Sequence, residues 1–312
     1  MKKLLVLMTL LFVLVGCGTK NDKKVVGVIQ LVQHDALDKA SEGFMDTLKE
    51  EFGEDIVIDY QNASGDSATC ATIATSMVAD DVDLILANAT PALQAAAHAT
   101  NEIPVLGTAI TEYGVALGLD DFNGTVGNNI SGTSDLAPLD EQAQMIIDLF
   151  PKAKVIGLLY CSSEANSLYQ VKVVKEFLEA KGLEAKTFSF ADSNDVSSIS
   201  SQACSEVDVL YIPTDNTCAS NGEVIKSNAI ENNVPIIAGE KECCLAVGGI
   251  ATLSIDYYEL GVTTGKMAIK ILNGEDVSKM AIEYYPNPVK MIDTDVAAKF
   301  NVEVPSGYEA LK

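Results

Sequence analysis

Short runs of β-branched and aliphatic residues alternate along this chain with longer stretches in which apolar side chains return every three or four positions. The first rhythm is that of a buried strand and the second that of a helix with one face on a core; their alternation predicts βαβ units and parallel sheets. Strands are predicted over 25–32, 56–61, 84–88 and 105–109. Between them, Leu37, Phe44 and Leu48 form a helical stripe, Gly65-Asp66-Ser67 caps a helix over 68–79, and Pro91 suits the first turn of a helix over 91–100.

The same order then returns, with strands over 155–160, 185–190, 209–212 and 235–238 and helices near 165–181, 195–204 and 218–231. Residues recur as well as rhythm. Val82-Asp83-Leu84-Ile85-Leu86 is answered by Val207-Asp208-Val209-Leu210-Tyr211, and Asn101-Glu102-Ile103-Pro104 by Asn232-Asn233-Val234-Pro235, so a whole lobe is repeated. Seven residues beyond each aspartate stand Thr90 and Asp215, which the repeat places at equivalent strand ends, where open α/β sheets bind ligands. Asp66 and Asp195 read as helix caps.

A polar, glycine-containing stretch over 128–135 reads as a crossing between the lobes, the chain returns near 248–258, and a segment around 281–292 crosses again. The fold class expected is α/β: two doubly wound parallel-sheet lobes joined by a three-strand hinge, with 25–131 plus 254–280 in the first lobe and 132–253 plus 281–312 in the second. Such lobes can close on a solute by hinge motion.

The N-terminus departs from both rhythms. Lys2 and Lys3 precede an apolar run from Leu4 to Val15, 12 residues long, that ends in Leu14-Val15-Gly16-Cys17. That is too short to cross a bilayer and suits a signal peptide over 1–17, with Cys17 the lipidated residue and 18–24 a tether. The mature protein is then expected on the extracytoplasmic face of the cell membrane, held by a lipid anchor. The remaining length suits two domains.

With 21 basic residues against 44 acidic ones and a net charge of -23, the chain lacks the basic footprint that nucleic acid requires. Six cysteines besides Cys17 permit up to three disulfides without specifying a pairing, and neither their spacing nor His34 and His98, the only histidines, suggests a metal site. No cofactor is expected. Neither a GxSxG elbow nor a Gly-rich phosphate loop is present, which argues against an enzyme.

Gln33-His34-Asp35-Ala36-Leu37-Asp38, Gln61-Asn62-Ala63-Ser64-Gly65-Asp66, Ala89-Thr90-Pro91-Ala92, Glu164-Ala165-Asn166-Ser167, Pro213-Thr214-Asp215-Asn216, Ala238-Gly239-Glu240 and Asp256-Tyr257-Tyr258-Glu259-Leu260-Gly261 occur in this order. In carrying them the chain resembles the ABC-transporter substrate-binding lipoproteins of the type that carries tryptophan and related aromatic amino acids, with the type I periplasmic-binding-protein fold. It departs at Ala109-Ile110-Thr111-Glu112-Tyr113 and at Cys243-Cys244. The resemblance implies a monomeric carrier that docks on an ABC permease served by a separate ATPase subunit.

An amino acid brings a carboxylate and an ammonium. Hydroxyls and N–H groups at helix starts suit the first, which points to Thr90, Ser162, Ser163, Asn166 and Ser167; a buried anion suits the second, which points to Asp215 or Glu240. Gln33, His34, Asn62, Thr108, Asn216 and Asp256 complete the candidate set. Tyr113, Tyr160, Tyr169, Tyr257 and Tyr258 are possible stacking surfaces. A nucleoside- or sugar-binding or sensory lipoprotein on the same fold is the alternative; the absence of Trp and Arg weighs against sugar and phosphate ligands.

Overall fold

The computed structural model describes residues 23–312. The predicted signal peptide, the lipidation at Cys17 and nearly all of the tether lie outside the described residues. The chain begins β1 (Lys24–Gln30), α1 (Asp35–Phe52), β2 (Ile56–Asn62), α2 (Ser67–Ala79), β3 (Leu84–Asn88), α3 (Thr90–Ala99), β4 (Val105–Ile110), α4 (Tyr113–Leu117) and β5 (Ile130–Ser134). A second series follows: α5 (Leu139–Leu149), β6 (Val155–Cys161), α6 (Ala165–Ala180), β7 (Glu184–Phe190), α7 (Val196–Glu206), β8 (Val209–Ile212), α8 (Asn216–Ser220), α9 (Gly222–Asn232), β9 (Ile236–Ala238), α10 (Lys241–Ala246) and β10 (Ala251–Ser254). The last part runs α11 (Tyr257–Leu272), β11 (Glu283–Tyr284), β12 (Val289–Ile292), α12 (Thr294–Lys299) and β13 (Glu309–Ala310).

Two sheets result, in the orders β11-β5-β4-β3-β1-β2 and β13-β12-β10-β9-β8-β6-β7. Pairing is parallel throughout the first, and the antiparallel β10–β12 pair is the exception in the second. Helices cover both faces of each sheet, so the central strands are mainly apolar and their two faces feed separate cores. In the first lobe Val26, Val28, Leu84 and Leu86 pack with Phe44, Leu48 and Met267 of α1 and α11, while Ile29, Ile85 and Ala87 pack with Ile73, Met77 and Leu93 of α2 and α3. In the second, Leu158, Val209 and Tyr211 meet Ile146 and Val174, and Leu159, Leu210 and Ile212 meet Ala203 and Ile225.

The repeated aspartates do the same work in each lobe. Asp83 accepts from the N–H of Val25 (2.7 Å), and Asp208 from those of Lys154 (2.7 Å) and Val155 (2.9 Å), fastening the start of the first strand to the start of the third. Asp66 caps α2 by accepting from the Thr69 N–H (2.7 Å). Asp195 makes no such bond at α7; the short turn before that helix is capped by Asp192 instead.

Differences from the sequence reading are local. β1 stops at Gln30, not at 32, because the Gln30 amide donates to the Val32 carbonyl (3.0 Å) and to Asp38 (2.6 Å), bending the chain into α1. The helix expected over 218–231 is two helices broken at Asn221, and α4, α5, α10 and α12 were not anticipated. Residues 132–134, expected in the second lobe, end β5 in the first sheet, and residues 283–284 pair beside them. The chain therefore crosses between β5 and α5, between β10 and α11, and between β11 and β12.

Candidate functional site between the lobes

In each sheet the chain leaves its first strand toward one side and its third toward the other, so the loops after β1 and β3, and after β6 and β8, part at the carboxyl edge. The two edges meet around a small cavity between the lobes. The first lobe supplies His34, Ala36, Leu37, Ala109 and Thr111, the crossovers Asp135 and Tyr257, and the second lobe Asn166, Thr214, Asp215, Asn216, Ala219 and Glu240. Ala109 reaches the cavity because β4 is irregular there: the register shifts after Gly107 and Ala109 takes a φ of 53°. Three alanines, Leu37 and the Tyr257 ring make up its apolar lining.

His34 begins the bridge between lobes. Its Nε2 lies 3.1 Å from Oδ1 of Asn216, whose amide N–H₂ donates to Glu164 (2.7 Å). Glu164 is buried and also accepts from the N–H groups of Asn216 (3.1 Å) and Thr217 (2.9 Å), the Thr217 hydroxyl (2.8 Å) and the Asn166 amide (3.1 Å). It thus holds the start of α8 against the start of α6. Burial pushes the His34 pKa down, opposed by the hydrogen bond to Asn216 and the charge of Glu164, and keeps the ring neutral.

Three buried carboxyls stand around the cavity without a lysine or arginine in its wall. Asp215 accepts from the N–H groups of Cys161 and Cys218 and from the Ser167 hydroxyl, each at 2.7 Å. Burial, with the Glu164 charge nearby, nevertheless lifts it to about 7. Glu240 accepts from the N–H groups of Glu242 (2.6 Å) and Cys243 at the start of α10 and is lifted by burial to about 8. Both oxygens of each are therefore engaged within their own lobe. Asp135 differs. One oxygen accepts from the Tyr257 hydroxyl (2.9 Å), the other is buried without a partner, and burial raises the group to about 6 against the pull of the Tyr257 hydroxyl. Asn166 Oδ1 and His34 Nδ1 are likewise buried and unpaired, an arrangement that native structures rarely tolerate away from a ligand or water.

The sequence candidates separate accordingly. His34, Asn166, Asp215, Asn216 and Glu240 line the cavity. Thr90 opens α3 on the same sheet edge, between the loops that carry His34 and Ala109, with a buried hydroxyl that lacks a partner. Ser167 is engaged with Asp215. Thr108 points away, joined to Thr133 (3.3 Å) and Thr264 (3.1 Å) beneath α11. Asn62 closes its own turn by accepting from the Ser64 N–H (2.8 Å), and Ser162 and Ser163 donate to the carbonyls of Phe190 (3.0 Å) and Ala191 (2.9 Å) on the exposed rim. Gln33 is exposed, and Asp256 caps α11 (3.1 Å) on an outer groove. Of the tyrosines only Tyr257 lines the cavity; Tyr113 is buried in the first lobe, bonded to the carbonyls of Gly107 and Thr133 (3.1 Å each).

The sequence reading did not pick out Asp135 and Thr111, whose role depends on a crossover and a bulge, nor Glu164, although its place at the start of a helix after a strand was a usable signal. The six described cysteines are buried and free. Among the described residues no cluster suited to a metal ion occurs, and no helix is long and apolar enough to cross a membrane.

Residues 25–308 match the family model described as ABC transporter substrate binding protein. A tyrosine-binding protein of Clostridioides difficile (strain R20291) is 37% identical over 284 residues, 90% of this chain and 82% of that protein. An ABC domain from Streptococcus pneumonia, solved in complex with L-Trp, superposes with a TM-score of 0.86 at 34% identity, covering 91% of this chain and 96% of that one. A ligand-free, open substrate-binding protein with adhesive properties from Clostridium difficile is 39% identical but superposes at only 0.68, covering 93% and 100%. The lobes here are thus arranged more as in the complex than as in the open form.

Proposed function

This chain belongs to the ABC transporter substrate-binding protein family, and on that footing we propose that it closes its two lobes on one amino acid, an aromatic one favoured. The observation that carries the reading is the convergence of three buried, unpaired polar atoms, on His34, Asp135 and Asn166, in one small cavity between the lobes. Each belongs to a different part of the chain, so the set is complete only when the lobes are together. The cavity is nearly filled by its own lining, so a solute is admitted only as the lobes part, and it is then enclosed by both.

The small residues Ala36, Ala109 and Ala219 line the cavity beside Tyr257, and the relatives that bind tyrosine and L-Trp support an aromatic side chain there. The carboxylate would meet the unpartnered Thr90 hydroxyl at the start of α3, beside the cavity on the same sheet edge. Asp215, Glu240 and Glu164 hold the helix starts that shape the pocket. Nothing in this scheme calls for catalysis. Lipid anchoring at Cys17, a monomeric state and delivery to a permease with its ATPase subunit complete the proposal, with the lobes divided at the three crossovers.

A thermal-shift screen of the chain truncated after Cys17 against amino acids, nucleosides and sugars tests it. A ligand at 100 times its Kd adds about 2.7 kcal/mol of stability. A rise confined to Tyr, Trp or Phe is expected; a response only to nucleosides or sugars would overturn the ligand assignment.

A further inference from the structure

The chemistry of the three unpaired atoms is fixed by their neighbours. Glu164 can only accept, so the Asn216 amide must turn its N–H₂ toward it and its Oδ1 toward His34. His34 Nε2 must then carry the proton, and in a neutral ring Nδ1 is left as a bare lone pair. Asn166 Nδ2 faces Glu164 and the Thr214 carbonyl (3.1 and 3.0 Å), both of which can only accept, which fixes Oδ1 as the oxygen facing the cavity. The free oxygen of Asp135 is a carboxylate acceptor. All three are acceptors. No lysine lines the cavity, and the chain contains no arginine.

A primary ammonium offers three N–H donors and a positive charge, which answers three acceptors and an otherwise unpaired buried carboxylate. An α-carboxylate finds no charged partner; its donor on the same edge, the Thr90 hydroxyl, lies outside the cavity wall. We infer that the site recognises the primary ammonium first and the carboxylate second, so that arylalkylamines, which lack the carboxylate, are also ligands. This rests on the amino-acid reading above and adds to it which half of the amino acid is indispensable.

Isothermal titration of the purified chain with L-tyrosine, tyramine and 3-(4-hydroxyphenyl)propionate separates the possibilities, since the second lacks only the carboxylate and the third only the amine. Removing hydrogen bonds to a charged group costs tyramine roughly 10- to 150-fold relative to L-tyrosine. Leaving a buried charge unpaired costs the propionate more, up to several thousand-fold by the same conversion, so it is expected to bind weaker than tyramine. Asp135→Asn should weaken L-tyrosine and tyramine by a common factor and tighten the propionate, which no longer leaves a buried charge unpaired. The ligand series on the unaltered chain decides the matter even if that variant fails to fold. L-tyrosine bound with the propionate ahead of tyramine overturns the inference and leaves the amino-acid reading intact; no binding of any aromatic amino acid overturns both.

Discussion

At the scale of single residues, the cavity is governed by carboxyls that burial has made reluctant to ionise. Asp135 stands at about 6, so in the ligand-free protein it gains its charge as pH rises through that value. Binding of an ammonium should follow it: affinity level above about pH 7, then falling about tenfold per unit below pH 6, with the fall absent in Asp135→Asn. Titration calorimetry across pH 5–8 reads this directly. Glu240, at about 8, acts on stability in the opposite direction. Unfolded, it ionises near pH ~4, so between there and its folded value the native state holds the extra proton and stability falls as pH rises. His34, with a lowered pKa, contributes the reverse sign, losing stability as pH falls through its unfolded value of about 6.5. Glu240→Gln should therefore flatten the melting profile between pH 5 and 8 by one proton, about 1.4 kcal/mol per pH unit; parallel profiles would show that Glu240 is ionised when folded.

At the scale of elements, two features hold the site's geometry. Glu164 collects the donors at the start of α8 and one from α6, so Glu164→Ala strands several N–H groups at once. A loss of ~2–3 kcal/mol in chemical denaturation is expected, together with weaker ligand binding through the freed Asn216. In the first lobe α11 lies against α1 with glycines at the crossing. A Cβ on Gly261 would stand 2.1 Å from the Ala40 carbonyl oxygen, and one on Gly43 2.2 Å from that of Tyr258. These obstacles are backbone and cannot turn aside, so Gly261→Ala should force the helices apart and destabilise by about 1–3 kcal/mol. Because α11 follows the second crossover directly, Tyr257 and with it the Asp135 carboxyl should shift, which a parallel loss of affinity would register.

For the whole molecule the question is what keeps the lobes together. Besides the His34–Asn216 contact, Lys39 of α1 reaches Glu242 of α10 across the cleft (2.5 Å). With its side chain 42% exposed, Lys39 is partly screened, and a pair of this kind contributes about 0–1 kcal/mol. Lys39→Met is accordingly expected to raise Kd by no more than about fivefold, through faster release, and to expand the ligand-free protein in small-angle scattering. High salt should reproduce the change in the unaltered protein but not add to it in the variant.

Periodicity alone determined the architecture, because strands covered on both faces and helices covered on one need distinct spacings of apolar residues, as in Leu84–Asn88 against Leu37, Phe44 and Leu48. Repetition of the Val-Asp pair likewise identified two equivalent lobes, since the same strand-fastening bond is required twice. Which candidates meet was another matter. Thr108 and Asn62 have suitable side chains at suitable strand ends, yet one is engaged in the core and the other in its own turn. Asp135 and Glu164 act through partners far away in sequence, Tyr257 for the first and Asn216 and Thr217 for the second. Only the tertiary structure decided the site, because a polar atom's availability depends on every donor and acceptor brought near it, and those neighbours come from both lobes and the crossings between them.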